Sequence, residues 1–270
     1  MSKAIPDFKR MLLRLPHSRE DYAAVGIIAE LAGLLSVNLV GMYVEDSSIG
    51  DLAELPHARE FRGGRWQPLT AEQLTNDVAF AAREAERLFL EFAGRYGPAL
   101  SFSLTKGSAA NPRETGAEDI IVVIEPINAI ERATHQFNEW LEAAFRSASS
   151  ILLVPSHAKR LSGPIVVIAS DADDPCIEAA LDVAASTREQ MIVIPSRPPS
   201  ESLSVVLERA RTIGVVTSLA EAAFHHGDIL LPASVKGRLL IMSRQMAIHR
   251  PILRQMPILL VSSKTLGQAT

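Results

Sequence analysis

Short apolar runs alternate with helically spaced apolar positions along this chain, and the alternation occurs twice. RMLLRLP at 10–16 predicts a strand ended by proline. Ala24, Ile27, Ile28, Leu31, Leu34 and Leu35 then follow at helical spacing, with Ser18 as the expected N-cap. Residues 37–44 predict a second strand, and 47–70, with Gly63, Gly64 and two prolines, predict irregular chain. A long helix is expected over about 71–95, stopped by Gly97-Pro98, with Val78, Ala81, Ala82, Ala85, Leu88, Phe89 and Phe92 on one face. Strands are expected at 100–105 and 119–124, a helix at about 129–147, and a closing strand at Ile151–Pro155.

After the link His157–Gly163 the order starts again. Pro164–Ala169 predicts a strand, and Asp174-Pro175 a cap and first helical position for a helix to about Thr187. A strand at 190–195 and a helix at 200–212 follow, then a short strand at Val215-Val216-Thr217 and a short helix at Ser218–His226. Residues 227–236 carry no clear pattern. Arg238–Met242 and Ile258–Val261 predict strands on either side of a short helix. The runs SILLVPS at 150–156 and PILLVSS at 257–263 are matching closing strands of two units. The expected fold class is α/β: two tandem open sheets of largely parallel strands with helices on both faces, over 1–157 and a shorter 163–270.

Composition narrows the function classes. The chain has 270 residues, a net charge of −4 and 21% charged residues, so a broad electrostatic footprint for nucleic acid is not expected. The single cysteine, Cys176, can make neither an internal disulfide nor a cysteine-rich metal site. The first twenty residues are interrupted by charges and prolines, and no run approaches the roughly 20 apolar residues that span a bilayer. A soluble, cytoplasmic protein without a membrane partner is expected.

The element order, the strand end GMYVED at 41–46 and the endings LEAAFRSASSILLVPS and ILRQMPILLVSS resemble the tandem universal stress protein family. That resemblance implies a Rossmann-like fold of the adenine-nucleotide α-hydrolase-like group. It also implies pairing through the closing strands, here Ile151–Val154 with Ile258–Val261, as an intramolecular pseudo-dimer or a homodimer.

ATP-binding members carry a Gly-x-x-Gly stretch after the fourth strand, followed at a distance by Gly-Ser or Gly-Thr. Glycines there let backbone N–H groups approach phosphate closely. Here the first unit has Glu125-Pro126-Ile127-Asn128-Ala129 and the second Ser243-Arg244-Gln245-Met246-Ala247, with no glycine in either. Glu125 repels phosphate and Pro126 lacks a donor. The family's acidic residue after the first strand is matched in the second unit by Asp171, whereas the first unit has Leu15-Pro16-His17-Ser18. The expectation is a non-enzymatic stress-response protein that works by protein association, without a cofactor. The alternative is a nucleotide-binding regulatory module that holds ATP or another adenine nucleotide in the second unit only. Its residues would be Asp171, Asp173, Ser243 and Arg244, the acids near ribose and the hydroxyl and guanidinium near phosphate. A small-substrate hydrolase or ligase ranks last, since no Gly-x-Ser-x-Gly elbow frames a serine.

Each of these residues also has a plainer role. Asp171, Asp173 and Asp174 suit a turn and a helix cap, and Ser243, Arg244, His249 and Arg250 an exposed loop. His225-His226 lack metal-ligand partners, and Cys176 is expected to be inert beside Asp173 and Asp174. The RGGRW run at 62–66 suits a turn better than a base-stacking clamp.

Overall fold

The computed structural model describes residues 8–16, 19–45, 55, 57–106, 115–126, 128–155, 158, 162–196, 202–221, 223–225, 228–230, 237–247 and 256–262. The expected Ser18 cap, His17, His226, His249, Arg250 and most of 107–117 and 231–236 lie outside them.

The first half runs β1 (Arg10–Arg14), a 3-10 turn at Arg19–Asp21, α1 (Tyr22–Leu34), β2 (Asn38–Glu45), β3 (Arg59–Arg62), β4 (Arg65–Pro68), α2 (Ala71–Ala93), β5 (Leu100–Lys106), β6 (Asp119–Glu125), α3 (Ala129–Arg132), α4 (His135–Arg146) and β7 (Ser150–Pro155). The second runs β8 (Ile165–Ala169), α5 (Pro175–Thr187), β9 (Met191–Pro195), α6 (Ser202–Thr212), β10 (Thr217–Leu219), β11 (Ala223–His225), β12 (Asp228–Leu230), β13 (Leu239–Ser243), α7 (Arg244–Ala247) and β14 (Ile258–Val261).

Local chemistry sets these boundaries. Thr70 and Gln73 form a reciprocal capping box at the start of α2. Asp174 caps α5, with its side chain accepting from the Cys176 N–H and Pro175 in the first turn. The helix expected over 129–147 is broken in two, because Thr134 is extended and its hydroxyl caps α4 by accepting from Phe137 N–H. Gly63 and Gly64, at φ +59° and +80°, make the tight turn of the β3–β4 hairpin inside the stretch expected to be irregular. The helix expected over 218–226 is absent. Residues 217–219 add a parallel strand beside β9, two positions later than the strand expected at 215–217, and Ala223–His225 pairs with Asp228–Leu230. Sheet pairing at an open edge overrides the weak local helical preference there.

The expectation of parallel strands with helices on both faces holds, but the two separate sheets do not. The halves share one ten-stranded sheet, ordered β10-β9-β8-β13-β14-β7-β6-β1-β2-β5. Every neighbouring pair is parallel except β14 with β7, where Ile258, Leu259 and Leu260 lie antiparallel to Leu153, Leu152 and Ile151. The two closing strands are buried along their length, so leaving their edges open would strand unpaired backbone groups.

Alternate residues of each strand serve two apolar layers. On one face Met11, Ile120, Leu152, Leu259, Ile241, Val167 and Val193 meet α1, α2, α5 and α6. On the other Ile121, Ile151, Ile258, Leu240 and Ile168 meet α4 through Trp140 and Ala144. The Trp140 indole N–H donates to Val122 O at 3.2 Å, which satisfies its buried polar edge.

Candidate functional site

In each half the chain winds outward from its first strand and then returns to the other side of it. The reversals fall between β1 and β6 and between β8 and β13. Open α/β sheets place ligands at such points, outside the C-terminal ends of the strands.

In the second half the register pairs Ile168 with Met242 and Ala169 with Pro195. Ser170-Asp171, Ser196 and Ser243-Arg244 therefore follow three adjacent strand ends. The Ser170 and Ser196 hydroxyls lie 3.0 Å apart and share a hydrogen bond. The acidic loop is braced from within. Asp171 Oδ1 accepts from Asp173 N–H at 3.0 Å, and buried Asp174 accepts from Ser170 N–H at 3.2 Å and Cys176 N–H at 3.0 Å. Asp171 and Asp173 remain exposed. The Cys176 thiol is fully buried, and burial, reinforced by Asp174, pushes its pKa far up, so it is protonated and unreactive.

Arg244 faces elsewhere. Its guanidinium donates from Nη1 to Ser147 O at 2.6 Å and Ser149 O at 2.9 Å, and from Nη2 to Phe145 O. The guanidinium carbon lies 5.9 Å from the Phe145 ring centroid. These carbonyls close the C-terminus of α4, where the helix dipole favours a cation. Arg244 thus belongs to a clasp between the halves. Of the four residues named from the sequence, the fold brings Asp171, Asp173 and Ser243 to one end of the sheet and turns the fourth side chain toward the first half.

In the first half the register of Leu13 with Val122 carries Leu15-Pro16 and Glu125-Pro126 to the crevice. Pro126 O accepts from Arg132 Nη1 at 3.2 Å, and Asn128 Oδ1 accepts from Ile130 N–H at 2.9 Å. No glycine occurs between 117 and 162, so backbone approach to a phosphate lacks its usual residue there.

Two features escaped the sequence reading. Arg238 ion-pairs with Glu30 of the first half and with Glu189 at 3.1 Å, at side-chain exposures of 8%, 20% and 18%. Glu189 Oε1 also accepts from Gly163 N–H, while Oε2 is buried and without a partner among the described residues. The second feature is the β3–β4 hairpin, on which Phe61 and Trp66 pack against each other at 5.4 Å yet stay exposed. Among the described residues there is no cluster of three metal-ligating side chains, and no helix is long and apolar enough to cross a membrane.

No protein-family profile matches the chain, and no curated protein matches it. Solved structures do. A universal stress protein from Archaeoglobus fulgidus superposes with a TM-score of 0.58 at 11% identity, covering 94% of this chain and 98% of its own. This chain has the universal stress protein fold. A functionally unknown protein from Pseudomonas aeruginosa PAO1 gives a TM-score of 0.48 at 13% identity, covering 96% of this chain and 94% of its own. A candidate universal stress protein from Pseudomonas aeruginosa UCBPP-PA14 gives 0.47 at 14%, covering 96% and 95%. At such identities the likeness is one of fold.

Proposed function

We propose that this chain is a non-enzymatic universal stress protein of the cytoplasm, acting in the stress response through protein association and not through ATP. The observation that carries the reading is the placement of Arg244. The guanidinium best suited to phosphate at the second crevice is held by three carbonyls of the first half. Drawing it out would strip hydrogen bonds from a half-buried charge. In the first crevice Glu125 and Pro126 stand where phosphate would need backbone donors.

A second reading rests on Asp171, Asp173 and Ser243, which remain at the topological switch point. It is a nucleotide-binding regulatory module in the second half, holding ATP or another adenine nucleotide.

Isothermal titration separates the two. ATP, ADP and AMP are titrated into the full chain and into Asp171→Ala. The association reading expects no binding heat from any of them. Micromolar binding to the native chain, weakened roughly 10- to 150-fold in Asp171→Ala by loss of a charge-assisted contact, would establish the second reading instead.

A further inference from the structure

The shared ten-stranded sheet ends in two different edges. At one end β10 has only three residues, Thr217–Leu219, and so short an edge offers little to a further strand. At the other end β5 runs for seven residues and matches β2 one to one, from Leu39 with Leu100 to Glu45 with Lys106, so no bulge interrupts it. The strand contains no proline, and Lys106 at its end is its one charged residue. Leu39 N–H donates to Ala99 O at 2.9 Å. In a parallel ladder with that bond, Ser101, Ser103 and Thr105 turn their N–H and C=O toward β2. Leu100, Phe102, Leu104 and Lys106 therefore turn theirs outward, where no backbone group among the described residues meets them. Ser101 and Ser103 are exposed, and Leu104 is 50% exposed.

We infer that a second copy of the chain adds to this edge, β5 against β5, antiparallel about a two-fold axis at Ser103. The inference rests on the association reading and names its surface and partner. The backbone decides the kind of occupant: a row of outward N–H and C=O groups is satisfied by an extended strand. The register decides whose strand it is. With the axis at Ser103, Phe102 falls opposite Leu104 of the second copy, and Leu100 opposite its Lys106. All four face outward, so each pair exchanges both backbone hydrogen bonds, as closely bonded antiparallel pairs do. Side chains then match on each face. On the face to which Leu100 and Phe102 contribute core packing, Phe102 of each copy covers the half-exposed Leu104 of the other. On the opposite face Ser103 meets Ser103 and Ser101 meets Thr105, small hydroxyl side chains that pair across strands. Lys106 does not fall opposite itself, so no like charges of the strand stand opposed. The contact repeats, between copies, the antiparallel edge pairing with which β7 and β14 join the halves. A two-fold axis closes it at a dimer.

Sedimentation equilibrium of the full chain tests this. The native protein is expected to dimerise reversibly at micromolar concentration. Leu104→Pro removes an outward N–H and leaves the ladder to β2 whole, since proline is tolerated where a strand edge faces solvent. It is expected to weaken the dimer by about tenfold or more. Ser103→Lys and Ser103→Glu each set like charges opposite one another at the axis, and each is expected to be monomeric alone. Mixed in equal amounts they are expected to pair again, because a residue on a two-fold axis meets its own counterpart. Circular dichroism should be alike for all of them, since both altered side chains are exposed in the single chain. A monomeric native chain overturns the inference. A dimer equally strong in all variants also overturns it, and leaves association itself standing at another surface. A Lys–Glu mixture that stays monomeric overturns the two-fold register. Amide exchange at Phe102 and Leu104 that slows only when a cell extract is added to a monomeric chain would give the edge to another protein's strand and overturn the choice of partner. Nucleotide binding with an intact β5-dependent dimer would instead displace the ATP-independent reading and keep this one.

Discussion

Arg238 and Glu30 are 208 positions apart in the chain and form an ion pair where the two halves meet. Glu30 lies on α1 of the first half, and Arg238 immediately precedes β13 of the second. The same guanidinium holds Glu189, so one cation serves two carboxylates in a largely desolvated setting. Helices α1 and α5 pack against each other along this junction.

Removing the cation should be costly. Arg238→Met leaves Glu30 and Glu189 facing each other without a counter-charge. Taking one member from a buried ion pair typically destabilises by about 3–5 kcal/mol. Urea unfolding followed by circular dichroism should show the midpoint falling accordingly. A change within the few tenths of a kcal/mol typical of surface substitutions would contradict the structure.

The cluster also predicts a pH dependence. Burial pushes the Glu30 carboxyl above its ordinary range; Arg238 opposes the rise and Glu189 adds to it. The folded state therefore binds this proton more tightly than the unfolded chain does. The resulting stability is complete below the ordinary carboxyl value of about 4.3 and is lost as pH rises through the raised folded value. Thermal midpoints of the native chain and Glu30→Gln, measured at constant salt across the mildly acidic range, should diverge in slope. Glu30→Gln should lack the decline over that window. Parallel curves would show that Glu30 does not titrate differently in the fold.

Arg244 makes the corresponding link at the other junction of the halves. Arg244→Met removes the donors to Phe145, Ser147 and Ser149 carbonyls and leaves the end of α4 without its cationic cap. A loss of about 1.5–3 kcal/mol is expected, as for hydrogen bonds to a charged group. Limited proteolysis should cut near residues 145–150 faster than in the native chain. An unchanged cleavage rate with unchanged stability would return Arg244 to the list of free cations at the crevice.

Most elements could be read from apolar spacing. The buried strands at 119–125, 150–155, 165–169 and 258–261 each carry a continuous apolar run, as strands covered on both faces must. The Asp174-Pro175 start of α5 was equally legible, because a cap and a fixed φ act within a few residues. The hairpin at 59–68 was missed although Gly63-Gly64 marks its turn, since Arg59–Arg62 and Arg65–Pro68 bury no apolar face that would produce alternation. The strand at 217–219 was misplaced because an edge strand of three residues leaves little pattern.

By itself the sequence determined most of the strands and helices, the likeness of the two closing runs at 150–156 and 257–263, and the absence of glycine between 117 and 162. These are local properties, set by spacing, capping and the φ range of single residues. Only the tertiary structure decided that the two halves share one sheet through the antiparallel pair of β7 and β14. It also decided that Arg244 caps a helix of the other half and that Arg238 gathers Glu30 and Glu189. The reason is physical: an arginine's composition and spacing are the same whether its donors face a ligand or a carbonyl. Its partner is chosen by which strand ends and helix termini the sheet order brings within reach.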